Sequence, residues 1–166
     1  ESFLEQELPG TKVIVGDGPQ REELRMKYPD AKFVGVKMGE ELSRYFNCAD
    51  VFVFPSLTDT FGLVILEAMA AGVPVAGFNA PGPADIIPGS NAGVLAPGRT
   101  DGLAEAAIAC LDLDKTAVRA FAEKFSWRAC AEQFVRNLDP YPEPEKTRFW
   151  RRLRRLARLR RGPKAA

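Results

Sequence analysis

Two carboxylates, Asp59 and Glu67, stand eight positions apart around a Phe61-Gly62 pair, in the run Asp-Thr-Phe-Gly-Leu-Val-Ile-Leu-Glu-Ala-Met-Ala-Ala-Gly that ends at Gly72. Side chains that only accept hydrogen bonds, placed on either side of a turn, suit a ligand rich in hydroxyls. A helix beginning near Gly62 would add free N–H groups and the positive end of its dipole, which suit a phosphate. The pattern points to a polyhydroxylated, phosphorylated ligand. Glu67 is set in apolar text, with Leu63, Val64, Ile65 and Leu66 before it and Ala68, Met69 and Ala70 after it. An acid inside a buried helix is costly unless it faces a cleft or a partner. Helical side chains lean toward the N-terminus, which turns Glu67 back toward the same crevice.

The elements that must hold these residues are legible on either side. Val51-Phe52-Val53-Phe54 is a continuous apolar run stopped by Pro55-Ser56, as a strand covered on both faces reads. The carboxylates therefore follow a strand's carboxyl end, where open parallel sheets bind ligands. Strand signals at 12–15, 32–36, 50–54, 73–76 and 92–95 alternate with helix signals at 19–28, 39–48, 62–71 and 101–111. Further helices are expected at 115–124 and 127–137, the last capped at Ser126-Trp127, with their apolar residues wrapping the sheet. This alternation predicts an α/β fold, a Rossmann-like parallel sheet with helices on both faces. Gly16-Asp17-Gly18 closes the first strand, but Arg21 occupies the place of a third glycine, so it is not a dinucleotide fingerprint.

With 166 residues, 46% apolar and 27% charged, the chain has the composition of one globular domain with a core. The net charge of +1 conceals an asymmetry. Residues 147–166 hold nine of the 23 basic residues and none of the 22 acidic ones, leaving 14 against 22 before them, a net −8. We therefore expect a body over 1–139, a Pro-rich linker over 140–146 containing Pro140, Pro142 and Pro144, and a basic amphipathic tail helix over 147–166. Phe149, Trp150, Leu153, Leu156 and Ala157 share one face of that helix, a pattern suited to an anionic membrane surface. Such a basic run without an aromatic platform beside it gives no nucleic-acid reading. The sequence contains no His, which excludes Ser-His and Cys-His nucleophilic machinery within this chain and removes the commonest metal ligand. Cys48, Cys110 and Cys130 are widely spaced in apolar helical text, as reduced core thiols of a cytoplasmic protein are. No run of eighteen apolar residues and no signal peptide is present in the 166 residues.

Taken with its neighbours, the Asp59 to Glu67 segment resembles the Glu-x7-Glu signature of the retaining glycosyltransferases of family 4, with Asp59 where the first Glu usually stands. Val13 to Pro19 with Arg21-Glu22-Glu23-Leu24 is similar to that family's first glycine turn, and Lys32-Phe33-Val34-Gly35 to the strand before its base-binding loop. Gly72-Val73-Pro74-Val75 and Asn91-Ala92-Gly93-Val94-Leu95 resemble its next two strands, so the likeness runs in order from Thr11 to Leu138. The resemblance implies the C-terminal, donor-binding half of a two-domain GT-B fold, lacking its first strand, with Glu1–Leu8 as the end of a helix. It implies that Glu67 holds ribose hydroxyls of a nucleotide, that Asp59 faces hydroxyls of the donor sugar, and that these two carry the catalytic role. It further implies that Phe61, Gly62 and Leu63 present amides to the sugar and distal phosphate, and that Gly16 and Gly18 allow close backbone approach. Val36, Ser56 and Thr60 complete the implied donor-binding set.

The implied activity is sugar transfer from a GDP- or UDP-linked donor to an acceptor hydroxyl, without metal or other cofactor. The acceptor glycan or lipid would be held by an N-terminal domain outside this chain, at the inner face of a membrane. The Asp112-Leu113-Asp114 triplet matches a metal motif of a different glycosyltransferase fold, but between helices Asp also serves as an ordinary cap. Asp85 lies where the family often has a Gly-Gly-x-x-Glu segment. The alternative reading is a non-catalytic nucleotide-sugar-binding or membrane-surface interaction module.

Overall fold

The computed structural model describes residues 1–98, 101–138 and 151–153, and within them two compact units, Glu1–Trp127 and the residues from Arg128 onward. The first unit alternates β1 (Val13–Val15), α1 (Arg21–Lys27), β2 (Lys32–Gly35), α2 (Gly39–Asn47), β3 (Phe52–Phe54), α3 (Leu63–Ala70), β4 (Val75–Gly77), α4 (Pro83–Ile86), β5 (Gly93–Leu95), α5 (Leu103–Cys110) and α6 (Lys115–Ala122). Every strand pairing is parallel. Each strand and helix expected from residue 12 onward in this unit is present but shorter than expected, with β4 starting two residues later and ending one residue later than the sequence suggests. Helix α4 was not expected, although Pro at its first position and Asp two residues later are a helix-start signal.

The strands form two ladders, β1-β2 and β3-β4-β5, with no ladder between them among the described residues. Register in the larger ladder is Phe52 opposite Val75 opposite Gly93 and Phe54 opposite Gly77 opposite Leu95, so the carboxyl ends of β3, β4 and β5 lie side by side. Strand β4 is buried at every residue, and its alternation divides the core. Val75 packs with Ile65, Ala68 and Met69 of α3 and Val118 and Ala122 of α6, whereas Ala76 packs with Leu103, Ala106, Ala107 and Cys110 of α5. Successive strand side chains point to opposite faces, so helices cover both faces of this ladder, as expected. Gly72, at φ +78°, lets α3 turn directly into β4, and a Cβ there would approach the Lys115 carbonyl oxygen to 3.1 Å.

Three details depart from expectation. Glu1–Leu8 forms turns rather than a helix, anchored by Lys12 Nζ, which donates to the Leu4 carbonyl at 2.7 Å and to that of Gln6. Of the thiols expected in the core only Cys110 is buried; Cys48 and Cys130 are exposed. Cys48 is the residue just past the last turn of α2, exposed while its neighbours Phe46 and Ala49 pack against the core. Burial pushes the Cys110 thiol up to about 11, against a smaller opposing effect of a hydrogen bond with the Val94 backbone.

In the second unit, α7 (Trp127–Arg136) begins at the unit boundary and carries the Arg128–Glu132 and Arg136–Glu132 ion pairs at 3.0 and 3.8 Å. Phe134, Val135 and Leu138 are exposed. Residues 151–153 are helical. The expected linker at 140–146 and the rest of the expected tail helix lie outside the described residues. No described helix is long and apolar enough to cross a membrane.

Candidate functional site

Strand β3 ends at Phe54 because Pro55 cannot extend a ladder, and the chain crosses the sheet's carboxyl edge before α3 starts. Gly62 makes that start. It adopts φ +74°, ψ 57°, a left-handed conformation that a residue with Cβ resists, and its carbonyl accepts the Ile65 N–H at 2.8 Å. A Cβ at Gly62 would also meet Ile65 Cδ1 at 2.8 Å, so the turn is closed sterically as well.

Asp59 holds the turn. Its Oδ1 accepts the Phe61 N–H at 3.0 Å and the Gly62 N–H at 2.7 Å. Two of the amides expected to face a ligand are thus engaged by the side chain that precedes them. The amides of Leu63 and Val64, in the first turn of α3, make no hydrogen bond among the described residues. Thr60, Phe61 and Leu63 are exposed, and Ser56 Oγ accepts the Thr58 N–H at 3.4 Å within the same loop.

Glu67 lies four residues beyond Leu63 on the exposed side of α3, while Ile65, Ala68 and Met69 face the core. It is exposed, and no side-chain hydrogen bond or ion pair engages it among the described residues. Of the apolar letters around Glu67, Ile65, Ala68 and Met69 are buried, whereas Leu63 and Ala70 are exposed with it, and the acid itself meets solvent. An exposed, unpaired acceptor one turn from free helix amides can take hydroxyl groups of a ligand whose phosphate meets those amides.

The remaining expected residues gather at the carboxyl ends of β1 and β2. The Gly16 N–H donates to Gly35 O at 2.9 Å, which joins the two turns. Gly16 has φ +131° and a Cβ there would meet nothing within 4 Å; Gly18 donates to Asp17 Oδ1 at 2.9 Å. Arg21, in the position that a third glycine would need, pairs with Asp17 at 3.8 Å. Val36, immediately after β2, is 61% exposed and Met38 is 77% exposed, an apolar lip beside the glycine turns that suits a flat base. Sequence reasoning named Val36 but not Met38, whose only signal is its place two residues on in the same loop.

Asp114 caps α6, its Oδ1 accepting the Thr116 N–H at 2.9 Å, which is the ordinary role weighed for it. No cluster of three His, Cys, Asp or Glu side chains suited to a metal occurs among the described residues.

Residues 4–113 match the family model for glycosyl transferases group 1. The chain belongs to that family. It is 36% identical over 143 residues to the sulfoquinovosyl transferase SQD2 of Arabidopsis thaliana, covering 78% of this chain and 28% of that protein. It is 48% identical over 75 residues to a GDP-mannose-dependent alpha-mannosyltransferase of Corynebacterium glutamicum, covering 45% of this chain and 18% of the relative. Among solved structures, a sucrose-phosphate synthase from Thermosynechococcus elongatus superposes with a TM-score of 0.61 at 29% identity, over 75% of this chain and 36% of that one. Anabaena HepE, solved with UDP and glucose, shares the fold with a TM-score of 0.64 at 21% identity, over 81% of this chain and 42% of that one. The chain therefore spans well under half the length of these relatives. The chain is thus a family 4-type glycosyltransferase by kinship, and its parallel, helix-covered sheet has the Rossmann-like form expected of one half of a GT-B fold.

Proposed function

We propose that this chain is the donor-binding half of a retaining glycosyltransferase that moves a sugar from a GDP- or UDP-linked donor to an acceptor hydroxyl without a metal. The observation that carries the reading is the Asp59–Glu67 segment, lying inside the family match. It sets an unpaired, exposed carboxylate on α3 one turn beyond helix amides without partners. The nucleotide-sugar relatives supply its donor class: the similar mannosyltransferase is named for GDP-mannose.

In this reading Glu67 accepts from both ribose hydroxyls, the apolar lip at Val36 covers the base, and Gly16 and Gly18 let the backbone approach the donor. The first-turn amides of α3 and its dipole face the diphosphate. Asp59, with Oδ1 engaged by its own turn, keeps Oδ2 for a hydroxyl of the donor sugar. In the reaction the bond from the anomeric carbon to the phosphate oxygen breaks, the electron pair leaves with the nucleoside diphosphate, and the acceptor oxygen bonds the same face. The acceptor proton passes to the departing phosphate oxygen. The chain's share of this work is to orient the donor and to stabilise charge growing on the diphosphate. The acceptor, a glycan or lipid, is bound by another domain, in the cytoplasm at the inner face of a membrane.

The test is Glu67→Ala in the full-length enzyme, with donor affinity read by calorimetry. A hydrogen bond to a charged group contributes about 1.5–3 kcal/mol, so affinity should fall about tenfold or more. The folded state should be unharmed, because Glu67 is exposed and unpaired and Ala is a better helix former. Unchanged donor affinity with an unchanged circular dichroism spectrum would remove Glu67 from the site.

A further inference from the structure

The Phe61–Gly62 turn lies beside a second turn, the one between β4 and α4. A Cβ built on Gly82 would lie 3.4 Å from both the carbonyl carbon and the oxygen of Phe61 and 3.7 Å from the Gly62 nitrogen, so the two turns are neighbours with room for no more than about a methyl group between them. Gly82 is buried and holds φ +90°, ψ −79°, a conformation available in practice to glycine alone. Two contacts keep it there. Asp85 Oδ2 accepts the Gly82 N–H at 3.2 Å while the Asp85 N–H donates to Gly82 O at 3.1 Å. Next to it Pro83 is packed over β4, its Cβ 3.0 Å from where a Cβ of Gly77 would stand.

Asp85 is itself exposed and forms no ion pair among the described residues. Its bond is therefore not compensation for a buried charge. What the bond does is fix the backbone of Gly82, which stands beside the Phe61–Gly62 peptide with room for no more than about a methyl group between them. We infer that Asp85 is a positioning residue for the sugar-diphosphate end of the donor, acting through Gly82 on the turn that opens α3. This rests on the donor-site reading above. It separates two parts of the donor: the base and ribose meet the β1 and β2 turns and Glu67, which Asp85 does not touch, whereas the diphosphate and sugar meet the turn that it braces.

Asp85→Ala and Asp85→Asn in the full-length enzyme test this, with Glu67→Ala beside them. UDP-glucose and GDP-mannose are screened as nucleotide sugars by calorimetry, and uridine and guanosine as nucleosides by saturation-transfer NMR. For whichever pair binds, Asp85→Ala should weaken the nucleotide sugar about fivefold to tenfold, the scale of one net hydrogen bond felt through the backbone, and leave the nucleoside unchanged. Asp85→Asn should restore the nucleotide sugar to within about twofold, because a carboxamide oxygen accepts the same N–H. Equal weakening of nucleoside and nucleotide sugar would reduce Asp85 to general support of the fold. Equal losses in the Ala and Asn variants would show that its charge, not its bond to Gly82, matters. No change in either variant would also overturn the inference. If Glu67→Ala weakens the donor and Asp85→Ala does not, the Asp85 role alone falls. If Glu67→Ala has no effect, the donor-site reading falls with it.

Discussion

Replacing Gly62 by Ala should be among the most damaging single changes near the site, and the structure separates its cost into two parts. The first is conformational: φ +74°, ψ 57° is left-handed backbone, which costs an L-residue with Cβ about 1–2 kcal/mol. The second is steric: the new Cβ would fall 2.8 Å from Ile65 Cδ1 and 3.2 Å from Cγ1, and Ile65 has 0% exposure and cannot swing into solvent. Overpacking of this kind costs about 1–3 kcal/mol. Together they amount to about 2–5 kcal/mol, a large part of the 5–15 kcal/mol typical of a whole domain. The two parts can be resolved by a double-mutant cycle with Ile65→Val, which removes Cδ1 and by itself should cost about 0.5–1.5 kcal/mol. The double variant should recover about 1 kcal/mol or more relative to the sum of the singles, the steric share, and keep the conformational share. Urea unfolding of the full-length protein, followed by fluorescence of a donor-site probe and by circular dichroism, reads both. A Gly62→Ala loss below about 1 kcal/mol, or strict additivity with Ile65→Val, would refute the left-handed, sterically closed turn on which the site depends.

Other outcomes follow from the same structure. A thiol reagent at neutral pH should modify the exposed Cys48 and Cys130 quickly and spare Cys110 until denaturant is added. Because burial raises the Cys110 thiol from 9.0 to about 11, the stability it contributes is fully present below pH 9 and lost as pH rises toward about 11. Denaturation midpoints should fall more steeply between pH 9 and about 11 in the native protein than in Cys110→Ala, where the Lys27–Glu1 and Lys37–Glu41 pairs still contribute a loss. EDTA should leave turnover of the full-length enzyme unchanged; a strict divalent-metal requirement would count against metal-independent transfer. Deleting residues 147–166 should abolish cosedimentation with anionic vesicles, since the remaining body carries −8, and salt should weaken the native binding because screening acts over about 8 Å at physiological ionic strength. Equal sedimentation with neutral and anionic vesicles would remove the membrane role from the tail.

The linear order of residues settled those features that depend on near neighbours. A strand covered on both faces has to be continuously apolar, so Val51 to Phe54 and Val73 to Ala76 announce themselves, and Gly and Pro mark where each stops. The spacing of Asp59 and Glu67 around Phe61-Gly62 is likewise local, and it survives as a turn and one exposed helix face. Even there, one side chain was misjudged in detail: a text of apolar letters around Glu67 does not tell which of them turn inward, because that depends on where β4 and α6 lie. The hydrogen bonds that the Asp59 carboxylate accepts from the Phe61 and Gly62 amides are also local, an Asx-type turn. Tertiary structure alone decided that Cys48 lies outside the core and that the strands form two ladders. It alone brought Gly82 against Phe61, twenty-one positions away in sequence. Helix α4, four residues long, is too short to show a period, and the reach of Asp85 to Gly82 matters only because another backbone stands behind it. Which loops become neighbours follows from how the sheet's loops are stacked, and hydrophobic pattern encodes burial without encoding which loop will be the neighbour.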